Sequence, residues 1–326
     1  MKKQRIFLLA LLVFLTTLGM TEISLTFAAE KYPVKPIKII VTKSVGGSVD
    51  AAVRLVQPFL EKELGVPVVV QNVTAGGGRV GDATVYTANP DGYTLLAAPL
   101  PSSIIGEIMY DGKTDFQKLT PIYNIMQTFQ TITVANDSKF NTFKELLEYG
   151  KTNKVTLAGS GGMGSNASLV YAKLKSFGMK GITMVPFPGA SETAAAVMGG
   201  HCDISSQSTD GVLQFVENKT LKVLAVCSPK RVSFLPKVPT FKELGFDFIV
   251  PLTSSVFGPP QMSNDKVKVL EKAFAKAMKD KQLLEMREKM NVALYPLTPS
   301  KLATLTKDST NLVNDMLPFL KEMEGN

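Results

Sequence analysis

The stretch IKIIVTKSVGGSVDAAVRLVQPFLEKELGVPVVVQNV, residues 37–73, decides the fold class. Its short β-branched run Ile37–Val41 reads as a buried strand, and two glycines end it. The segment AAVRLVQPFLEKELG that follows has the apolar spacing of an amphipathic helix, closed by Gly65. A second run, VPVVVQNV, is again strand-like. Strand, helix and strand in 37 residues is a βαβ unit, the building block of a parallel sheet. The glycine turn at its centre lies at a helix N-terminus, where free N–H groups and the helix dipole favour an anion.

The same rhythm continues outward. The loop AGGGRVGDATVYTA opens a helix, and NPDG turns into the strand YTLLAAP. Later come TITVAN, FKELLEYGK, KVTLAGS, NASLVYAKLKSFG, TMVPF and the strand pair CDISSQ and LKVLAVC. This alternation predicts an α/β protein with parallel sheets covered by helices on both faces. From Asp265 to Met323 the chain reads as mainly helical, with the lysines on solvated faces. Two extended segments, 126–138 and 246–260, fit crossings between two α/β lobes and so a hinge beside a cleft. The expected boundaries are a signal at 1–28, one lobe from 29–127 and 255–326, and a second lobe from 128–254.

The signal rests on Lys2, Lys3 and Arg5 ahead of IFLLALLVFLTTLGM, with cleavage expected after Ala28. An uncleaved anchor is the alternative, although the apolar run is shorter than the ~20 residues of a bilayer span. Removing 28 residues from 326 leaves 298, and the signal takes +2 of the net +8 with it, leaving +6. The remaining positive charge is scattered rather than run into blocks, which argues against a nucleic-acid face. Neither Cys202 nor Cys227 lies where a lipoprotein anchor would need one, so the reading is an exported, unanchored chain in a periplasm. There the two cysteines could form a disulfide or remain two buried thiols.

Catalytic and cofactor chemistry find little support. GGGRVG, residues 76–81, matches G-x-G-x-x-G, but it lies on the second strand and lacks the acidic partner at the right distance. The simpler reading is a glycine-permitted turn at the edge of a cleft. Ser160 has Ala158 where a nucleophile elbow needs glycine, and the single histidine, His201, has Asp203 two residues away. No metal site or cofactor is expected. What remains is three loops of one chemical kind, SVGGSVD at 44–50, GSGGMGSN at 159–166 and FPGASET at 187–193. Each combines glycine with short polar side chains ahead of a helix, a pattern that suits a carboxylate. Ser44, Ser165 and Ser191 are also ordinary N-cap types, so any one loop alone could be only a turn.

In order along the chain, YPVKPIKIIV (32–41), VGGSVD, GVPVVVQNVTAGGGRVG, PDGYTLL (90–96), GSGGMGS, VPFPGA, GGHCD, LKVLAVCSPKRVSFLPKVPTFKELG and VFGPP resemble the substrate-binding receptors of tripartite tricarboxylate transporters. These are extracytoplasmic solute receptors abundant in Bordetella-type bacteria. The resemblance implies a class II periplasmic-binding-protein fold, two lobes joined by two crossing segments and closing on a small organic acid. It also implies a non-catalytic, monomeric receptor that delivers its ligand to large and small inner-membrane transporter subunits. A sensor-kinase receptor would use the same fold, and an exported serine hydrolase is the remaining alternative. Carried over by motif, the ligand residues are Val45, Gly46, Gly47, Ser48 and Asp50 in one lobe. The other lobe supplies Ser160, Gly161, Ser165, Asn166, Gly189, Ala190 and Ser191, with Asp203 as either a ligand or a scaffold residue. The chain departs from the family pattern at Thr42-Lys43, Val45 and Ser168. Lys43, if it faces the cleft, favours a di- or tricarboxylate.

Overall fold

The computed structural model describes residues 31–324 except 163 and 291; the proposed signal and its cleavage point lie outside the described residues. Every strand and helix described lies in one compact unit that begins at Pro33. In chain order these are β1 (Ile37–Val41), α1 (Ser48–Leu64), β2 (Val68–Asn72), a single 3-10 turn (Ala75–Gly78), α2 (Arg79–Tyr86), β3 (Thr94–Ala98), α3 (Ser102–Met109) and β4 (Thr120–Phe129). Then follow β5 (Thr131–Ala135), α4 (Phe143–Thr152), β6 (Val155–Ser160), α5 (Asn166–Ser176), β7 (Ile182–Phe187), α6 (Ala190–Met198), β8 (Ile204–Ser206), α7 (Thr209–Glu217) and β9 (Leu221–Val226). The chain ends with β10 (Pro251–Gly258), α8 (Asn264–Ala277), α9 (Lys281–Lys289), β11 (Leu294–Leu297) and α10 (Pro299–Glu324). Among the described residues, no helix is long and apolar enough to cross a membrane.

Two sheets organise these elements. The first runs β11-β4-β10-β3-β1-β2 and the second β7-β6-β8-β5-β9. The βαβ unit forms as its pattern requires. Ile37, Ile39, Ile40 and Val41 are buried in β1, and α1 lays Val49, Ala52, Val53, Val56 and Leu60 against the sheet. Gly65 ends α1 in the left-handed conformation, φ 70°, which glycine adopts without a Cβ penalty.

Each sheet is mixed, where the alternation predicts parallel. β1 pairs in parallel with β2 and β3, and β6 with β7 and β8. By contrast β10 runs antiparallel to β3 and β4, and β5 antiparallel to β8 and β9. The reason is the passage between sheets. The long strand β4 runs out of the first sheet directly into β5 of the second, with only Gln130 between them. The chain returns into β10 at Val250. There the two passages are tied together: Gln130 N–H donates to the Val250 carbonyl (3.0 Å), Cys227 N–H to the Gln130 carbonyl (2.8 Å), and Val250 N–H to the Cys227 carbonyl (3.0 Å).

The second sheet is covered on one side by an aromatic cluster. The ring of Phe143 lies 4.7 Å from Phe241, that of Phe177 4.5 Å from Phe246, and Phe241 meets Phe248 edge-on at 5.4 Å. The final helix, α10, packs against both β4 and α5, so it touches elements of both sheets. Lys175 of α5 and Glu322 of α10 form an ion pair along that seam.

Candidate functional site

A cavity of about 470 Å³ is lined by loops of both sheets. Five helices begin at it: Arg79 of α2, Ser102 of α3, Asn166 of α5, Ala190 of α6 and Ser208, the residue before α7, all line its wall. The N-caps of α5, α6 and α7, which are Ser165, Gly189 and Ser208, make no side-chain capping bond. First-turn N–H groups and helix dipoles thus converge on one space, an arrangement that favours negative charge.

The first-lobe wall is built by a close backbone approach. Gly78 has φ 108°, and a Cβ there would lie 2.7 Å from the Thr42 carbonyl; at Gly81 it would lie 2.9 Å from the Thr42 methyl. Only glycine lets the turn after β2 press so tightly on the end of β1. The contact places Lys43 beside that turn, where its Nζ donates to the Gly77 carbonyl at 3.3 Å. Arg79 is half-buried, reaches the Gly106 carbonyl only at 3.5 Å, and rests over the Tyr110 ring at 4.6 Å. The G-x-G-x-x-G pattern therefore packs the turn against a strand and presents two cations to the cavity.

Asp82 completes this wall. It is 1% exposed, and its buried Oδ1 has no hydrogen-bond partner among the described residues. Burial, reinforced by the neighbouring Glu107 and opposed by Lys43, pushes the Asp82 carboxyl up to about 8. Burial in turn lowers the Lys43 ammonium from its usual range, with Asp82 opposing. At neutral pH Asp82 is thus mainly the neutral acid, and the wall's net charge is positive.

The opposite wall carries no ionisable side chain among the described residues; it consists of Gln130, Ser206, Gln207 and Ser208 together with residues 160–162 and 164–167 and Ala190. Asn166 is fixed by a bond from its Nδ2 to the Pro251 carbonyl (3.1 Å), which leaves its buried Oδ1 without a partner among the described residues. The Ser165 hydroxyl and Gln207 Oε1 are in the same position.

Of the residues proposed from sequence, Lys43, Ser160, Gly161, Ser165, Asn166 and Ala190 line the cavity. Gly189 and Ser191 flank Ala190 without lining it. Val45, Gly46, Gly47, Ser48 and Asp50 stand outside the lining, for reasons the hydrogen bonds make clear. Gly46 N–H donates to the Asp50 carboxylate (2.9 Å) and Gly47 N–H to the Ser44 carbonyl (3.0 Å), while Val45 is 72% exposed. Burial alone would raise the Asp50 carboxyl, but bonds from Arg54, Gly46 and Asn72 outweigh it and hold the group below the usual carboxylate range. Asn72 Nδ2 donates to both Asp50 and the Lys43 carbonyl, at 2.9 Å each, so Asp50 braces the segment that carries Lys43.

Asp203 braces β6 at its other end. Its Oδ2 accepts from Thr156 N–H and from the Thr156 hydroxyl, both at 2.8 Å. His201 is exposed and does not line the cavity, and both cysteines are free and buried. Arg79, Asp82, Tyr110, Gln130 and Gln207 escape the sequence reading. The one available signal was Arg79 and Asp82 standing just after a glycine triplet that already read as a cleft edge.

Residues 52–318 match the model of the tripartite tricarboxylate transporter family receptor. The chain belongs to this receptor family. Protein BugT of Bordetella pertussis is 30% identical over 282 residues, 84% of each chain. The fold of the receptor is close to that of a TctC solute binding protein from Polaromonas, with a TM-score of 0.80 and 25% identity over 88% of this chain and 99% of that one. MatC from Rhodopseudomonas palustris, solved with bound malate, shares the fold at a TM-score of 0.70 and 22% identity, covering 87% of this receptor and 99% of MatC.

Proposed function

We propose that this receptor works in the periplasm, captures a small organic carboxylate between its two lobes and hands it to a membrane transporter of large and small subunits. The carrying observation is the cavity itself, with Lys43 and Arg79 on one wall and the N-termini of α5, α6 and α7 on the other. Fixed cations attract the anion, and oriented N–H groups and short hydroxyls hold its oxygens. The bonded crossing at Gln130, Cys227 and Val250 is the natural hinge for the lobes to close. The malate-bound neighbour is alike in fold alone, so the ligand class here is argued from the cavity.

The test is calorimetric titration and thermal unfolding of the purified receptor with mono-, di- and tricarboxylates, aromatic acids and amino acids. A narrow set of carboxylates should raise the melting temperature, since a ligand at 100 times its Kd adds about 2.7 kcal/mol. Lys43→Glu and Arg79→Ala should each weaken binding by about tenfold or more, roughly 1.4 kcal/mol. A panel without any shift, or variants that bind as the parent does, would remove the proposal.

A further inference from the structure

Asp82 stands in the cationic wall of the cavity without adding a cation to it. It sits in the first turn of α2, lines the cavity and is almost wholly buried, and its Oδ1 has no hydrogen-bond partner among the described residues. The charged and titratable groups around it are Lys43 beyond β1, Arg79 on its own helix, and Glu107 and Tyr110 from α3 and its end. Glu107 accepts from Thr114 N–H through Oε2 at 2.9 Å, while its buried Oε1 has no partner among the described residues; it does not line the cavity, so Asp82 is the acid placed to meet a guest. Lys43 donates to the Gly77 carbonyl at 3.3 Å, and Arg79 reaches the Gly106 carbonyl at 3.5 Å while resting over the Tyr110 ring. Among the described residues no ion pair to an acid holds either cation, so both can meet a guest anion.

We propose that Asp82 is a ligand-contacting, specificity-determining residue that acts as a neutral acid, donating its carboxyl proton to the anion that Lys43 and Arg79 attract. This rests on the anion-binding reading of the cavity. An ionised Asp82 would compete with the ligand for the same two cations, whereas the protonated group adds a donor and removes the competitor. The proton thereby makes the cavity selective for anions over ligands that carry an ammonium group, which would favour the ionised form.

The experiment uses the full mature receptor and four probes, acetate, succinate, citrate and benzoate, titrated calorimetrically; the tightest is then followed from about pH 6 to 9.5. In the parent, affinity should hold steady to about pH 8 and then fall by up to tenfold per pH unit, as one linked proton requires. Asp82→Asn keeps an N–H donor that cannot titrate, so its profile should lack the fall that begins near pH 8. Any fall that remains should be removed in the Asp82→Asn, Lys43→Arg double variant, while Asp82→Ala should bind at least tenfold more weakly at pH 7. Lys43→Arg, charged throughout, should retain the fall above pH 8 and so separates Asp82 from titration of the lysine. Parallel pH profiles for the parent and Asp82→Asn, or an affinity that rises as Asp82 ionises, would overturn the inference while leaving the carboxylate site in place. If none of the probes binds at any pH, the site reading and the inference fall together.

Discussion

Asp50 and Asp82 are two buried acids of the first lobe whose environments drive them in opposite directions. Asp50 accepts from Gly46, Arg54 and Asn72, and its lowered carboxyl favours the folded state above about pH 4; that contribution is lost as pH falls through the folded value. Asp50→Asn should therefore lower the melting temperature at pH 7, by roughly 1–3 kcal/mol in stability, and have little effect in strong acid. Asp82 has the reverse sign. From about pH 4 up to about 8 the folded chain holds a proton that the unfolded chain has released, so stability declines across that window. Asp82→Asn should remove the decline, leaving the variant the more stable protein at pH 9 and equal to the parent near pH 4. Thermal unfolding across pH tests both.

Among the elements, the β1-α1-β2 unit was legible because strand and helix periods are local properties of the sequence. Strand direction was not, because β4 and β10 pair residues such as Tyr123 and Val256, which lie far apart in the chain. The glycine turn at 76–81 was recognised as a cleft edge, but its main work is contact with Thr42, and contact across three dozen residues leaves no periodic trace. For the same reason Arg79 and Asp82 acquire meaning only beside Lys43. Gly78→Ala should cost about 1–3 kcal/mol and also weaken ligand binding, since the turn must retreat from β1 and carry Arg79 with it. In the second lobe Phe241→Ala opens the aromatic cluster and should cost about 3–5 kcal/mol with the cavity walls intact. Denaturant unfolding combined with titration separates the two effects.

At the scale of the whole molecule, the three polar loops proposed from sequence divide by role. Those at 159–166 and 187–193 reach the cavity, while 44–50 is a braced support whose one cavity-lining contribution is the neighbouring Lys43. Sequence marks all three alike, since glycine and serine ahead of a helix serve a turn as well as a ligand. The two walls also differ in physical kind, one carrying whole charges and the other only dipoles and hydroxyls. A whole charge acts over a Debye length of about 8 Å at physiological salt, and dipoles fade sooner. On the proposed reading, capture is then ordered in time: the anion is collected by the Lys43 and Arg79 wall, and the other wall governs how long it stays. Stopped-flow measurements should find that salt and Arg79→Ala slow arrival, whereas Asn166→Ala hastens departure.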